Sequence, residues 1–340
     1  MSRRKPKPRP APPPTPPLTP LERAFQDLRH PSEPHQTVSG RWLLSAAAIS
    51  VLAAALCAWG ALCFLFAQGS WQLLYHPAAA ITRTPAASNL SFEAVAFAPD
   101  NSGIPQLSGW WIPADPNARY DRFTVLYLHS QDGNLSTSVD DLALLHSIGV
   151  NVFAFDYRGY GLSRPARPSE AHWLEDAGSA LTYVTQTRHV PPNTILVAGK
   201  ALGANLALEL AAAHPDLAGS ILDQPLDAPM NAVFNDPRAA LVPAHLLVRD
   251  RYETDTAASA LRIPALWFNI PTLKFEINRS PVTSQSALKP VAAPQAYAHI
   301  LAPKTIVSPA TRAGDADIAA QRSAALTRWL DDLSVNPTRP

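Results

Sequence analysis

Residues 194–215 read TILVAGKALGANLALELAAAHP, and the reading of this stretch decides what the rest of the chain must be. Ile195 to Ala198 is a short apolar run with two β-branched residues, and Leu202 to Ala213 is a leucine- and alanine-rich run with strong helix propensity. Gly199 and Gly203 stand at the joint. A strand that turns into a helix over so few residues needs glycine where backbones approach closely. Lys200, Ala201 and Leu202 fill the space between the two glycines.

Working outward, short runs rich in β-branched and aromatic residues alternate with longer helical patterns. The expected strands are SFEAVAF, LSGWWIP, FTVLYLHS, VNVFAFDYR, TILVAGK, GSILDQ, PALWFNI and KTIVSP. Helices are expected over 139–148, 169–187, 202–213 and 319–333. The second of these opens on Ser169 as N-cap, with Glu170 at the positive helix end and Trp173, Ala177, Ala180, Leu181 and Val184 at helical spacing. The pattern predicts an α/β domain over 88–335: a mostly parallel eight-stranded sheet flanked by helices. Residues 271–303, rich in proline and serine without a sustained period, are expected to form a long loop or cap.

The N-terminal part is different. Trp42 to Ala67 reads WLLSAAAISVLAAALCAWGALCFLFA, and no Asp, Glu, Lys or Arg follows until Arg83. As a helix the run would be about 39 Å long, more than the ~30 Å hydrocarbon core requires. One transmembrane helix is therefore expected over 42–67, followed by a juxtamembrane linker over 68–87 in which Trp71 and Tyr75 suit a membrane interface. Residues 1–41 carry Arg3, Arg4, Lys5, Lys7, Arg9, Arg23, Arg29 and Arg41 against Glu22, Asp27 and Glu33. Basic flanks stay on the cytoplasmic side, which predicts a cytoplasmic N-terminus and a large domain on the periplasmic or extracellular side. The proline density of that arm predicts an extended, disordered chain.

Composition excludes several classes. The net charge of +1 gives no footprint for a nucleic-acid partner. Cys57 and Cys63 both lie in the apolar run, so the domain has neither disulfide nor thiol nucleophile. There is no HExxH and no cysteine cluster, and GKALGAN lacks the GxxxxGK[ST] spacing of a phosphate loop. No cofactor and no metal site is expected.

Four segments, WQLLYHP, YLHSQDGNLS, FDYRGYGLS and VAGKALGANLALELAAAHP, resemble the membrane-associated α/β-hydrolases of the serine aminopeptidase-like group, whose corresponding motifs look like HGNxGNLS, FDYRGYGxS and GxSLGGxxA. The resemblance covers most of Trp71 to Leu333. It implies an α/β-hydrolase fold, an elbow of Gly199, Lys200 and Gly203, and an oxyanion hole formed by Leu202 N–H with a second donor from Gln131. Ser130 stands where a glycine is expected. It also implies a Ser, acid, His order, and here this chain departs. Ala201 occupies the nucleophile position; Thr272 falls at the acid position, with Glu276 the nearest carboxylate; and no histidine follows His299, which precedes the last strand. Asp156, Tyr157, Arg158, Gly159, Tyr160 and Gly161 read as structural.

The leading expectation is a membrane-anchored, catalytically inactive serine-hydrolase homologue that binds a small acyl ligand or an envelope protein. Two alternatives stand beside it. One is an active ester- or peptide-type hydrolase using non-standard groups, with Lys200 beside the elbow as a candidate base or nucleophile. The other is an envelope scaffold.

Overall fold

The computed structural model describes residues 17–27, 38–269, 295–308 and 315–335. The chain divides into two compact units, Met1–Gly60 and Ala61–Pro340. In the first, helix α1 (Pro20–Asp27) interrupts the expected extended arm. Its start is a capping box: Thr19 N–H donates to Glu22 Oε2 at 2.9 Å and Glu22 N–H donates to Thr19 Oγ1 at 3.4 Å, with Pro20 at the first helical position. Helix α2 (Gly40–Gly69) begins in the first unit and ends in the second. It belongs to the one helix among the described residues that is long and apolar enough to cross a membrane.

Within Ala61–Pro340 the eight expected strands all form: β1 (Glu93–Pro99), β2 (Pro105–Ile112), β3 (Thr124–Leu128), β4 (Asn151–Asp156), β5 (Ile195–Lys200), β6 (Gly219–Asp223), β7 (Ala265–Phe268) and β8 (Lys304–Val307). They lie in the order β8-β7-β6-β5-β3-β4-β2-β1. β2 runs antiparallel to both neighbours and all other pairs are parallel. Both faces are covered, which is why β3, β6 and β7 are buried at every position, and β5 at every position before Lys200, rather than alternating. On one face α3 (Val139–Ile148) and α10 (Asp315–Val335) cover Val125, Leu196 and Leu266 with Leu142, Leu326 and Trp329. On the other, α4 (Glu170–Thr182) and α5 (Leu202–Ala213) cover Leu126, Val197 and Leu222 with Trp173, Ala177 and Leu206. Strand order reverses around β3, β4 and β5, so the crevice beyond the carboxyl end of β5 is where such sheets place a site.

Two parts of the chain depart from the sequence-based expectation. The linker over 68–87 is part of the domain: His76–Pro77 pairs in parallel with Asp132–Gly133, and Tyr75 is only 1% exposed. Its hydroxyl donates to Asp250 Oδ2 at 2.7 Å, and its ring meets Trp173 edge-on at 5.2 Å. A polar partner and an aromatic cluster inside the domain take Tyr75 away from a membrane interface. Between β6 and β7, where no helix was expected, the chain forms α6 (Asn231–Phe234), α7 (Ala244–Leu247) and α8 (Thr254–Ala260). These are too short to carry a readable period. Asn205 of α5 pins the segment, donating to Leu226 O and Thr254 Oγ1 and accepting from Leu226 N–H. Of the region 271–303, residues up to 294 lie outside those described, and α9 (Gln295–His299) precedes β8.

Glu209, facing out of α5 toward Glu170 and Glu253, has one carboxylate oxygen buried without a partner. Burial, reinforced by those two carboxylates, raises its pKa to about 8. An acid raised in the folded state stabilises below its unfolded pKa and loses that contribution as pH rises through the folded one. Asp176 and Asp156, raised by burial to about 6 and about 7, complete the same loss at lower pH. Glu209→Gln should therefore match the parent's Tm near pH 5 and exceed it at pH 8.5 by roughly 2–4 °C, about 1 kcal/mol after allowance for solvent screening. Thermal unfolding across that range reads the difference.

Candidate functional site

The stretch 194–215 folds as a sharp elbow. Ala201 has φ 51° and ψ −120°, a conformation that costs a residue with a Cβ about 1–3 kcal/mol. The glycines at the joint make it possible. A Cβ on Gly199 would strike the carbonyl of Gly203, and one on Gly203 would strike the carbonyls of Leu128 and His129. Ala201 N–H donates to Asp223 O at 2.8 Å, tying the apex to β6.

Leu202 N–H, at the start of α5, points at Gln131. The contact comes from the side chain: Leu202 N–H donates to Gln131 Oε1 at 3.2 Å. The sequence predicts a second backbone donor at Gln131; in the structure the side chain of the same residue adds an amide oxygen that accepts from Leu202 N–H. Gln131 is held there by its own carbonyl, which accepts from His76 N–H at 3.0 Å and from the Tyr160 hydroxyl at 2.9 Å. Ser130, in place of a glycine, does not adopt a positive φ, so its Cβ brings no backbone strain.

Residues 125–259 match the family described as serine aminopeptidase, S33. An uncharacterized protein of Mycobacterium tuberculosis is 30% identical over 214 residues, covering 62% of this chain and 72% of that protein. The α/β-hydrolase domain-containing protein WAV2 of Arabidopsis thaliana is 28% identical over 140 residues, covering 41% of this chain and 44% of its own. Among solved structures, an α-β hydrolase from Vibrio vulnificus has a TM-score of 0.49 at 18% identity, over 74% of this chain and 83% of that one. The chain belongs to the serine aminopeptidase S33 group of α/β-hydrolases.

In this α/β-hydrolase the surroundings of the elbow are filled by ion pairs. Lys200 Nζ donates to Asp141 Oδ2 at 2.7 Å, and the Tyr127 hydroxyl donates to the same oxygen at 3.1 Å. Arg322, from α10, pairs with Asp223 at the end of β6 and lies 3.9 Å from Asp141 Oδ1. Its guanidinium also sits 5.3 Å from the Phe268 ring centroid. Two cations and two carboxylates thus close the α3 and α10 side of the elbow, and Lys200 is engaged as a charged partner. Burial raises the Asp223 pKa, with Arg322 opposing it. None of Asp141, Asp223 and Arg322 stood out in the sequence, because the pairing joins residues 99 positions apart and no local pattern announces it.

The remaining positions named from sequence are dispersed or lie elsewhere. Thr272 and Glu276 fall outside the described residues. His299 Nδ1 is 3.6 Å from Asp255 Oδ1 of α8. His129, beside the oxyanion loop, is wholly buried among Tyr157, Tyr160 and Trp173, with Nδ1 2.7 Å from Ser130 O. Burial lowers its pKa to about 4, so it is neutral at pH 7. Arg158 donates to Asp176 through Nε at 2.6 Å and through its backbone N–H at 2.8 Å, fixing the loop after β4 to α4.

Because Asp223 is nearly inaccessible, Arg322→Met should leave its charge buried and destabilise the chain by about 3–5 kcal/mol. Adding Asp223→Asn should recover part of that loss, since the second change removes the orphaned charge. Urea unfolding of the two variants in detergent measures both effects.

Proposed function

We propose that this chain is a membrane-anchored α/β-hydrolase homologue that binds a ligand or partner protein without serine-type hydrolysis. The observation that carries the reading is Ala201: the elbow keeps its strained backbone and close-packed glycines while presenting a methyl group. A methyl can neither attack a carbonyl nor hydrogen-bond to a base. Two further features agree with it. The oxyanion-type donor Leu202 N–H is satisfied internally by Gln131, and the sequence holds no histidine after the last strand to serve as base. Loss of any triad member costs several powers of ten in rate, and such losses do not add.

Helix α2 is the proposed anchor. Its basic N-terminal flank supports a cytoplasmic N-terminus, with the α/β domain on the periplasmic or extracellular side. A small acyl compound or an envelope protein is the proposed ligand of the domain.

The full chain should neither hydrolyse short acyl esters above the uncatalysed rate nor be labelled by a fluorophosphonate probe. Ala201→Ser should remain unlabelled, because a serine without a histidine is not activated. Turnover of such esters that is abolished by the fluorophosphonate would overturn the reading.

A further inference from the structure

The end of α2 is built into the α/β domain. Phe66 is buried in the same core as Trp173 and Met230, and Leu62 and Cys63 pack against that core. Phe64 and Leu65 face the other way, 63% and 64% exposed. Arg167, just before α4, ties the helix end down: its Nη2 donates to Ala67 O at 2.7 Å and its Nη1 to Gln68 Oε1 at 3.2 Å. The turn Ser70–Leu73 then packs on α6. A cavity of about 360 Å³ lies at this junction, with Gln68, Trp71 and Arg167 on one wall and Leu247, Val248 and Arg249 on another. The segment between β6 and β7 is therefore a direct neighbour of the apolar helix end.

That segment has two faces. Val242, Ala244 and Val248 are buried against the core, whereas Leu241 and Leu246 are 62% and 84% exposed. Single exposed leucines are ordinary on a soluble surface. Leu246 differs in position, because it adjoins Leu247 and Val248, which line the same cavity as the end of α2. Basic side chains accompany them: Arg249 is exposed on the same segment and Arg167 stands at the helix end, whereas Arg238 is paired with Asp236 through Nε at 2.8 Å and Nη2 at 2.9 Å. Apolar tips with arginines beside them match the interfacial layer of a bilayer, where apolar side chains enter the acyl boundary and arginines meet phosphates.

We propose that residues 237–249 form a second, monotopic membrane contact: Leu241 and Leu246 enter the interfacial layer of the bilayer that α2 crosses, with Arg249 at a phospholipid phosphate. The proposal rests on the anchor reading of α2. It would hold the domain at one orientation to the lipid surface instead of leaving it on a free tether.

The test uses the full chain with Cys57→Ser and Cys63→Ser, reconstituted in vesicles of equimolar phosphatidylcholine and phosphatidylglycerol. A nitroxide is attached in turn to Leu246→Cys, Leu241→Cys and Ile104→Cys, the last being an exposed apolar residue in the turn between β1 and β2. Collision with oxygen and with a water-soluble nickel chelate gives the depth of each label. Positions 246 and 241 are expected about 5–10 Å below the phosphates, with position 104 in water. Labels at 246 and 241 as accessible to the chelate as that at 104, in a chain that resists carbonate extraction, would overturn this proposal and leave the anchor standing. Extraction of the chain by carbonate would overturn the anchor reading and this proposal together.

Discussion

The close approach of α5 to the centre of the sheet is the constraint on which the rest of the structure depends. Gly199 and Gly203 leave no room for a Cβ between β5, β3 and the first turn of α5. The turn forces Ala201 to a positive φ, at a cost of about 1–3 kcal/mol. What offsets it is burial: Leu202, Leu206, Leu208 and Leu210 of α5 are all buried, each stabilising by about 1.5–3 kcal/mol. The elbow therefore persists on packing and on the bond from Ala201 N–H to Asp223 O, with a methyl group at its apex.

Polar groups around the elbow engage one another, although Asp223 Oδ1 and Arg322 Nε are buried without a hydrogen-bond partner. Gln131 accepts from Leu202 N–H; Asp141 holds Lys200; Asp223 holds Arg322. The Arg322–Asp223 pair is buried enough to carry a desolvation cost that offsets much of its attraction, so it specifies geometry more than it adds stability, whereas Lys200 is partly exposed. The α4 side differs in kind. There Tyr157 stacks on Trp173 with centroids 3.9 Å apart, and His129, Tyr160 and Tyr75 close around them. That aromatic cluster joins the segment after α2 to the body of the domain and makes it a structural element of the fold.

Much of this architecture was legible in the order of residues. The eight strands announce themselves as short apolar β-branched runs, because strands covered on both faces have no polar side to show. Helix α2 announces itself by length and the absence of charge, and the elbow by two glycines at fixed spacing around Ala201. Those features are local: a few consecutive residues carry the whole physical cause, whether propensity, steric room or hydration.

Other features depend on which distant residues the fold brings together. Tyr75 looks like an interfacial aromatic until Asp250 and Trp173 are found beside it. Helices α6 to α8 are too short to be read from periodicity and exist because Asn205 and the core hold them. The contacts of Gln131 are of this kind too: its carbonyl is drawn to His76 and Tyr160, and its side chain turns to Leu202. The sequence by itself determined the sheet, the apolar helix and the absence of a hydroxyl at the elbow, since each follows from what neighbouring residues are. Only the tertiary structure decided how the elbow's polar groups are satisfied, because each of those partners sits on a different element of the fold.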